Sequence, residues 1–259
     1  EMSAAPIAVQ LYSLREAAAR DFAAVIERLG RVGYAGVELA GLHGMPSAEL
    51  RRRLADAGLE IAAAHVQAPI GDARERVLDG VDFELGRAEC LVVIDEQEAL
   101  GTKTLVVPFV PPDRFKTLDS IRAVAAELDD AGRNARARGM ALGYHNHWWE
   151  FQIEHGGRHA HALLMELVDP EIFVELDTYW ATVGGRDPAR VAAELGSRVQ
   201  ILHLKDGPAD GFKSPMTAVG DERGAIRGGL TSDLAFLRRD AMSSTPRWRG
   251  STPLRPIRS

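Results

Sequence analysis

The chain has 259 residues, of which 46% are hydrophobic and 26% charged, and these proportions are typical of a single globular domain. Its net charge of −6 argues against nucleic acid as the main partner, because phosphate binding needs a basic surface. The single cysteine, Cys90, excludes an internal disulfide and suits the reducing cytoplasm. No apolar run approaches the roughly 20 residues that span a bilayer, and the N-terminus lacks a signal-peptide pattern. We therefore expect a cytoplasmic protein whose partners are neither nucleic acid nor membrane.

Apolar, β-rich runs alternate with amphipathic segments along the chain. In the first amphipathic segment Phe22, Ile26 and Leu29 recur at helical spacing. Asp187 followed by Pro188 is typical of a helix start, because proline fits the first helical position after an N-cap residue. Strict alternation of strands and helices predicts a parallel sheet with crossover helices. The predicted strands are Ile7–Leu11, Gly36–Leu39, Glu60–His65, Thr104–Val107, Ala141–His145, Ile172–Leu176 and Val199–Leu204.

Three of these runs end in side chains that bind metals or transfer protons. They read YHNHWWE over residues 144–150, VELD over 174–177 and ILHLKD over 201–206. Because the carboxyl ends of the strands in a parallel barrel meet at one rim, we expect these acidic and imidazole groups to lie close together. The pattern predicts an α/β fold, a (β/α)8 TIM barrel, with a metal-dependent site at the rim of the barrel.

The C-terminal part of the chain lacks a recognisable last strand. Seven strands can be counted, whereas a closed barrel needs eight. Residues 241–259 contain four arginines, three prolines and no acidic residue, and each proline would remove a hydrogen-bond donor from a central strand. We expect one barrel domain over residues 1–240, incomplete or irregular at its C-terminal strand, and an irregular Arg/Pro-rich tail over residues 241–259. So abrupt a change in composition suggests a displaced reading frame or a truncated barrel.

Four segments resemble those of one barrel family. They read GYAGVELAG, GYHNHWWEF, FVELDTYWATVGGRDP and ILHLKDG. Over about residues 6–220 the chain is similar to the xylose isomerase-like TIM barrels, which include sugar phosphate isomerases and epimerases, inosose dehydratases and type-2 apurinic endonucleases. The resemblance implies one divalent cation, usually Mn, Mg or Co, at the C-terminal mouth of the barrel. In this family it is usually held by a Glu, an Asp, a His and a further Glu from the last strand.

Carried over to this sequence, the resemblance implies that Glu150, Asp177 and His203 are metal ligands. No residue matches the fourth ligand, so either Glu222 or Asp221 replaces it, water completes the coordination, or the chain is catalytically impaired. Oxygen and nitrogen donors suit one Mn, Co, Mg or Zn ion. The plainer interpretation of Asp177 and His203 is a salt bridge at the rim, and Glu150 is alternatively a base or a solvated loop acid.

The candidate catalytic residues are two histidines and a lysine. His145 and His147 are two positions apart, so their side chains point to the same side of the sheet. Either imidazole is a candidate for the acid/base group that moves a proton, because imidazole titrates near neutral pH. The alternative for each is packing against the neighbouring strand. Lys205 is a candidate for neutralising an enolate oxygen or binding a hydroxyl or phosphate group, and an ion pair with Glu175 or Asp206 is its alternative.

Four further residues are candidates for contacts with the substrate. Glu38 and His65 end the second and third predicted strands and would complete the pocket, although a buried ion pair with an arginine is a competing role for Glu38. Trp148 and Trp180 offer aromatic faces to the C–H surface of a sugar, although large aromatic side chains also cap barrels. Glu175 is expected one layer deeper, where it would orient the metal ligands.

These residues predict a divalent-metal-dependent sugar isomerase or epimerase. It would act on a small sugar, a keto-sugar or a cyclitol by removing a proton next to a carbonyl. One alternative is an inosose-type dehydratase, a lyase that expels a hydroxyl from the same enolate, and another is a catalytically impaired sugar-binding barrel. Hydrolysis of abasic DNA is disfavoured by the acidic net charge. Assembly into a homo-oligomer stays open.

Overall fold

The computed structural model describes residues 6–66 and 87–214, together with 77–78, 81–82, 216–217 and 219. Over residues 87–93 it describes the backbone alone. The predictions made for the domain boundary at 240, for the tail over residues 241–259 and for the loop acids Asp221 and Glu222 lie outside the described residues.

Seven strands form one parallel sheet, in which each strand pairs with the next one along the chain. All seven predicted strands are confirmed, and no strand end differs from its prediction by more than one residue. The strands are β1 (Ala8–Gln10), β2 (Gly36–Leu39), β3 (Glu60–His65), β4 (Thr104–Val107), β5 (Ala141–His145), β6 (Phe173–Asp177) and β7 (Val199–His203).

The sheet is curled rather than flat. Glu38 of β2 and His203 of β7 are hydrogen-bonded at 2.6 Å, although four strands separate β2 from β7 in the sheet. Only a sheet that bends round on itself can bring these two side chains together. Within the described residues the sheet is therefore an incomplete barrel of seven strands, and the predicted α/β TIM-barrel class is confirmed.

Helices connect the strands, as parallel pairing requires. They are α1 (Arg15–Val32), α2 (Ser47–Asp56), α3 (Arg87–Leu100), α4 (Leu118–Ala137), α5 (Trp149–Gln152), α6 (Ala160–Leu167), α7 (Thr178–Val183) and α8 (Pro188–Leu195). Three short 3-10 helices cover Leu11–Leu14, Pro112–Phe115 and Gly196–Arg198, and two small hairpins pair Val77–Leu78 with Val81–Asp82 and Glu154–His155 with Arg158–His159.

Local sequence signals account for several helix positions. The apolar stripe of α1, from Phe22 to Leu29, is buried against the outer face of the sheet. Gly33 ends that helix with φ 94°, a left-handed conformation that glycine adopts without a steric penalty. The predicted start of α8 is also confirmed, because the Asp187 side chain caps its first turn and Pro188 is its first residue.

The apolar core has two parts. The larger part lies between the helices and the outer face of the sheet. The smaller part fills the inside of the barrel and consists of Ala63, Val106 and Phe173, with Ile201 packed against them. Gly143 makes room for Phe173, because a Cβ atom at Gly143 would overlap the aromatic ring. This inner layer is an apolar floor beneath the polar groups described below.

No helix within the described ranges is long and apolar enough to cross a lipid bilayer.

Gly143→Ala should destabilise the protein by about 1–3 kcal/mol, because the added methyl group overpacks the floor of the barrel against the Phe173 ring. Urea denaturation followed by circular dichroism measures the change. Adding Phe173→Leu to Gly143→Ala should recover part of the loss. A Gly143→Ala variant as stable as the wild type would show that the inner layer tolerates extra volume.

Candidate functional site

Five polar side chains meet inside the barrel, close to the carboxyl ends of the strands. We call them the histidine–carboxylate cluster: Glu38 of β2, His65 of β3, His145 of β5, Glu175 of β6 and His203 of β7. Four of the five members lie two positions after a residue of the inner layer or the glycine beside it: His65 after Ala63, His145 after Gly143, Glu175 after Phe173 and His203 after Ile201. Because side chains alternate along a strand, the polar layer lies directly on the apolar one.

Glu175 is the centre of the cluster. Its Oε2 atom lies 2.9 Å from His65 Nε2, 3.0 Å from His145 Nδ1 and 3.3 Å from His203 Nε2. The side chain has no exposed surface. One donor atom from each of these four residues can be chosen so that all four lie within 4.8 Å of one another.

Glu38 closes the cluster from the other side of the barrel. Its Oε2 lies 2.6 Å from His203 Nε2, and its Oε1 lies 3.3 Å from His65 Nε2. Within the described residues the ionic partners of Glu38 are these two imidazoles, and the competing pairing with an arginine is not found there. The structure thus brings Glu38 and His65 together with His203 in one site.

Asp177 lies one layer nearer the mouth. Its Oδ2 atom is 2.7 Å from Lys205 Nζ and 3.7 Å from His145 Nε2. Its Oδ1 atom accepts a hydrogen bond from the backbone N–H of Trp180 and so caps α7. The Asn146 side chain donates to the Asp177 carbonyl and accepts from its N–H, which fixes the position of the carboxylate. Lys205 therefore pairs with Asp177 in this structure.

Glu150 is fully buried beside the cluster but is bound by other groups. Tyr144 donates its hydroxyl to Glu150 Oε1 at 2.6 Å, and the backbone N–H of His147 donates to Oε2 at 3.0 Å. Both carboxylate oxygens thus have hydrogen-bond donors. The structure brings the other two predicted ligands, Asp177 and His203, next to His145, and the ligand roles of all three residues stay predictions.

Aromatic rings line the mouth above Asp177. His147 stacks on Trp149 with ring centroids 4.3 Å apart and an interplanar angle of 8°. Trp148 contacts Trp180 at 4.8 Å, and Phe212, from the loop after β7, stacks on Trp148 at 4.9 Å. The predicted pair of tryptophans is therefore found together at one rim, where flat apolar faces adjoin polar groups.

Burial and charge shift the pKa values of the carboxylates in opposite directions. Burial raises the pKa of Glu175 to about 7, although the positive charge of His203 and a hydrogen bond with His65 oppose the shift. Burial also raises the pKa of Glu150 to about 7, against the hydrogen bond from Tyr144. Burial alone would raise the pKa of Glu38 too, but hydrogen bonds with His203 and His65 lower it far below its usual range.

The histidines divide into two groups. Burial holds the pKa of His145 well below its usual value, and burial together with the charge of Lys205 lowers the pKa of His147 to about 3. Burial alone would also lower the pKa of His65, but hydrogen bonds with Glu175 and Glu38 raise it to about 9. The pKa of His203 is raised as well, because the charge of Glu175 and a hydrogen bond with Glu38 outweigh its burial. Neutral and cationic imidazoles thus lie side by side.

The donor atoms of this site suit a divalent metal ion. Glu175 Oε1 is buried and accepts no hydrogen bond from any residue that the structure describes, so one carboxylate oxygen is available to a cation. Nitrogen donors from His145 and His203 and oxygen donors from Glu175 and Asp177 form the mixed set that Mn, Co and Zn accept.

Sequence reasoning missed three contributors to the site. Gln10, at the end of β1, lies 3.2 Å from His65 Nδ1 through its amide nitrogen. Tyr144 binds Glu150 from the outer face of β5, and Phe212 covers Trp148. Gln10 had a recognisable signal, because it is a polar residue that ends an apolar strand. The other two contacts depend on the path of loops.

The family profile described as "Xylose isomerase-like TIM barrel" matches residues 23–240 of the chain. This chain belongs to that family. The resemblance inferred from its strand-end motifs is confirmed.

Similar proteins of the xylose isomerase-like family include several enzymes. An inosose dehydratase of Clostridium tetani is 25% identical over 211 residues, which cover 78% of this chain and 69% of that protein. A 2-epi-5-epi-valiolone 7-phosphate 2-epimerase of an Actinoplanes species is 33% identical over 139 residues, covering 53% and 48%. The crystal structure of a sugar phosphate isomerase/epimerase from Parabacteroides distasonis superposes with a TM-score of 0.67, at 26% identity over 83% of both chains.

A buried histidine next to the site of this xylose isomerase-like barrel gives a testable pH effect. His161 is fully buried in the first turn of α6, against the ring of Phe151, and burial lowers its pKa from 6.5 to about 3. Unfolded His161 binds a proton below pH 6.5 and folded His161 does not, so its contribution to stability is present above pH 6.5 and is lost as the pH falls towards 3. The loss is about 1.4 kcal/mol per pH unit.

His161→Phe should therefore reduce the loss of stability between pH 6.5 and pH 5, and urea denaturation at several pH values measures it. His43→Asn removes an exposed imidazole and serves as the control. Equal pH slopes for His161→Phe and the wild type would contradict a neutral, buried His161.

Proposed function

We propose that this protein is a divalent-metal-dependent sugar isomerase or epimerase. It acts on a small sugar, a keto-sugar or a cyclitol, and it removes a proton from the carbon next to a carbonyl. The observation that carries the proposal is the convergence of three imidazoles on one buried oxygen of Glu175, at the catalytic end of a parallel barrel.

The relatives support the same class of chemistry. The Actinoplanes relative is named as a 2-epimerase of 2-epi-5-epi-valiolone 7-phosphate, and the Parabacteroides structure as a sugar phosphate isomerase/epimerase. Epimerisation and isomerisation both begin with loss of a proton next to a carbonyl and end with its return, to the same or to the neighbouring carbon. A site that holds one neutral imidazole near a cation meets the needs of both.

A second candidate is a dehydratase acting through the same enolate. It is favoured by the inosose dehydratase of Clostridium tetani, which aligns with 78% of this chain. In this reaction a hydroxyl on the next carbon leaves as water after the proton has been removed, so the step needs a proton donor for the leaving group. His65, which contacts both Glu175 and Glu38, is the candidate donor.

Four residues would hold the metal: His145, Glu175, Asp177 and His203, with Glu150 as a further predicted ligand. A bound divalent cation supplies Lewis-acid stabilisation of the negative charge that develops on a substrate oxygen. Contacts to Glu175 Oε2 and to the carboxylate of Asp177 hold these two side chains in place, so these ligands are ordered before the metal binds.

His147 is the proposed base. Its Nδ1 atom is buried and has no hydrogen-bond partner among the described residues, so it is available to accept a proton, and its ring centroid lies 5.1 Å from that of His145. Stacking on Trp149 fixes the plane of the ring. Lys205, only 28% exposed, places an ammonium group at the mouth, where it would bind a substrate hydroxyl or oxyanion. Trp148 and Trp180 would stack against the sugar ring.

Asp177→Asn and His203→Ala should each weaken metal binding by about a hundredfold or more, because each removes a donor atom from the inner coordination of the ion. Metal content after dialysis against Mn²⁺ or Co²⁺, measured by plasma mass spectrometry, tests this. Asp113→Asn makes the same chemical change at an exposed position of the 3-10 helix Pro112–Phe115 and should keep full occupancy. The ligand assignment is wrong if either site variant retains the wild-type metal content.

His147→Ala should lower kcat by about 10²–10⁴-fold and leave the metal bound, because it removes the base without removing a ligand. Incorporation of solvent deuterium next to the carbonyl of a keto-inositol or keto-sugar measures proton removal whichever product forms. His155→Ala removes an imidazole that instead donates to the Phe115 carbonyl, and it should keep wild-type exchange. Unchanged exchange in His147→Ala would exclude His147 as the base.

The mass of the product separates the two candidate reactions. An isomerase or epimerase returns a product of unchanged mass, apart from the exchanged deuterium. A dehydratase returns a product lighter by one water. A protein that binds metal but catalyses neither exchange nor loss of water would support the impaired sugar-binding barrel instead.

A further inference from the structure

A loop after β7 reaches across the rim of the barrel. It leaves the sheet at Asp206 and returns at Thr217, where the Thr217 N–H donates to the Asp206 carbonyl at 2.8 Å. Near its tip the Ser214 N–H donates to the Gly211 carbonyl at 3.3 Å. We call this segment, described over residues 206–214 and 216–217, the mouth loop. Because its ends are joined and its tip is bonded internally, it is a compact loop with a defined shape.

The base of the mouth loop is held against α7. Asp206 and Gly207 are buried, and a Cβ atom at Gly207 would lie only 2.8 Å from the hydroxyl oxygen of Tyr179, a fully buried residue of α7. Only glycine allows the backbone to approach that ring so closely. The position of the loop is therefore fixed relative to α7, the helix that also carries Trp180.

Phe212, in the mouth loop, lies on Trp148, which follows β5. The two rings stack with centroids 4.9 Å apart and an interplanar angle of 5°. The other aromatic neighbours of Trp148 meet it at steeper angles, 78° for Trp149 and 51° for Trp180. Among the described rings Phe212 is thus the one that covers Trp148 in parallel, and this contact restrains rotation of the indole about its side-chain bonds.

The pair Trp148 and Trp180, which we call the aromatic wall, adjoins the polar part of the site. Lys205 Nζ lies 5.6 Å from the centroid of the Trp180 ring and 2.7 Å from Asp177 Oδ2. A ligand whose polar edge binds Lys205 and Asp177 would therefore place its next surface against the aromatic wall. That surface has to be flat and apolar to match the rings.

A ring-closed polyol offers such a surface. In a six-membered carbon ring with equatorial hydroxyl groups, the axial C–H bonds form a flat apolar face on each side. An open-chain polyol rotates about its C–C bonds, so it has no preformed apolar face and loses more conformational freedom when it is held against a wall. A rigid aromatic wall therefore favours the closed ring.

We propose that Phe212 is a positioning residue that fixes the plane of Trp148, so that the aromatic wall selects a ring-closed keto-polyol, such as a cyclitol ketone, over an open-chain ketose. This inference rests on the proposed function, because it concerns the substrate of the same site. The stacking of Phe212 on Trp148 is a property of the free protein.

Quenching of tryptophan fluorescence by acrylamide tests the stack without any substrate. Phe212→Ala should increase the quenching, because it uncovers one face of Trp148, and Phe212→Tyr should keep the wild-type value. In a Trp148→Phe background Phe212→Ala should have no effect. Met216→Ala shortens another exposed side chain of the mouth loop and serves as the control. Unchanged quenching in Phe212→Ala would show that Phe212 does not cover Trp148 and would overturn its role.

Calorimetric titration of the metal-loaded protein tests the selection, with a keto-inositol and with erythrulose, a short ketose that cannot close a six-membered ring. Wild type should bind the keto-inositol about tenfold more tightly or better. Phe212→Ala should weaken that binding by about threefold to tenfold and change erythrulose binding by less than about twofold, whereas Phe212→Tyr should keep the preference.

Two outcomes of the titration would overturn the inference. Equal losses for both ligands, or no loss for the keto-inositol, would show that Phe212 does not act through the aromatic wall. A wild-type protein that binds both ligands equally, or binds neither, would show that the site does not select a closed ring. Thermal melting of each variant confirms that it is folded before titration.

Exchange of solvent deuterium into the keto-inositol separates this inference from the proposed function. Phe212→Ala should raise KM by about threefold to tenfold and leave kcat within about twofold, because Phe212 orients the wall and takes no part in proton removal. A lower kcat with unchanged KM would contradict a positioning role. A wild type that binds the keto-inositol preferentially but catalyses no exchange would refute the proposed function and leave the selection by the aromatic wall standing.

Discussion

The structure depends on one buried carboxylate. Glu175 has no solvent contact, and a buried charge is costly unless hydrogen bonds and opposite charges compensate for it. Imidazoles from β3, β5 and β7 supply that compensation, all at the same oxygen. They can reach it only if the sheet curls, because β3 lies three strands away from β6 in the sheet order. The site can therefore form only if the sheet curls, and the contacts within the site hold the curled strands together.

The apolar layer below the cluster and the aromatic layer above it strengthen the interactions between its charged groups. The apolar floor with Phe173 excludes water from beneath, and the aromatic rim around Trp149 and Trp180 restricts it from above. In such an environment charges interact more strongly than in water. This explains how adjacent imidazoles are shifted in opposite directions, His145 and His147 towards the neutral form and His65 and His203 towards the cation.

Membership of the xylose isomerase-like family and the hydrogen-bond partners of individual side chains give different kinds of information about the protein. The family match gives the fold and the end of the barrel at which chemistry occurs. The hydrogen-bond partners of each histidine come from neighbours that the family match does not specify, such as Gln10, whose amide nitrogen lies 3.2 Å from His65 Nδ1.

The sequence by itself determined the seven strands and the polar groups at their carboxyl ends, because strand alternation and helix caps are local properties. It placed His145 and His147 on one face and anticipated Glu175 beneath the rim. Only the tertiary structure decided which partners the members of the site have. Glu38 is hydrogen-bonded to His203 across the barrel, and Tyr144 donates a hydrogen bond to one oxygen of Glu150. These contacts join residues that are far apart in the chain or on opposite faces of a strand. They depend on how the sheet curls and on the paths of its loops, and no local sequence pattern encodes either feature.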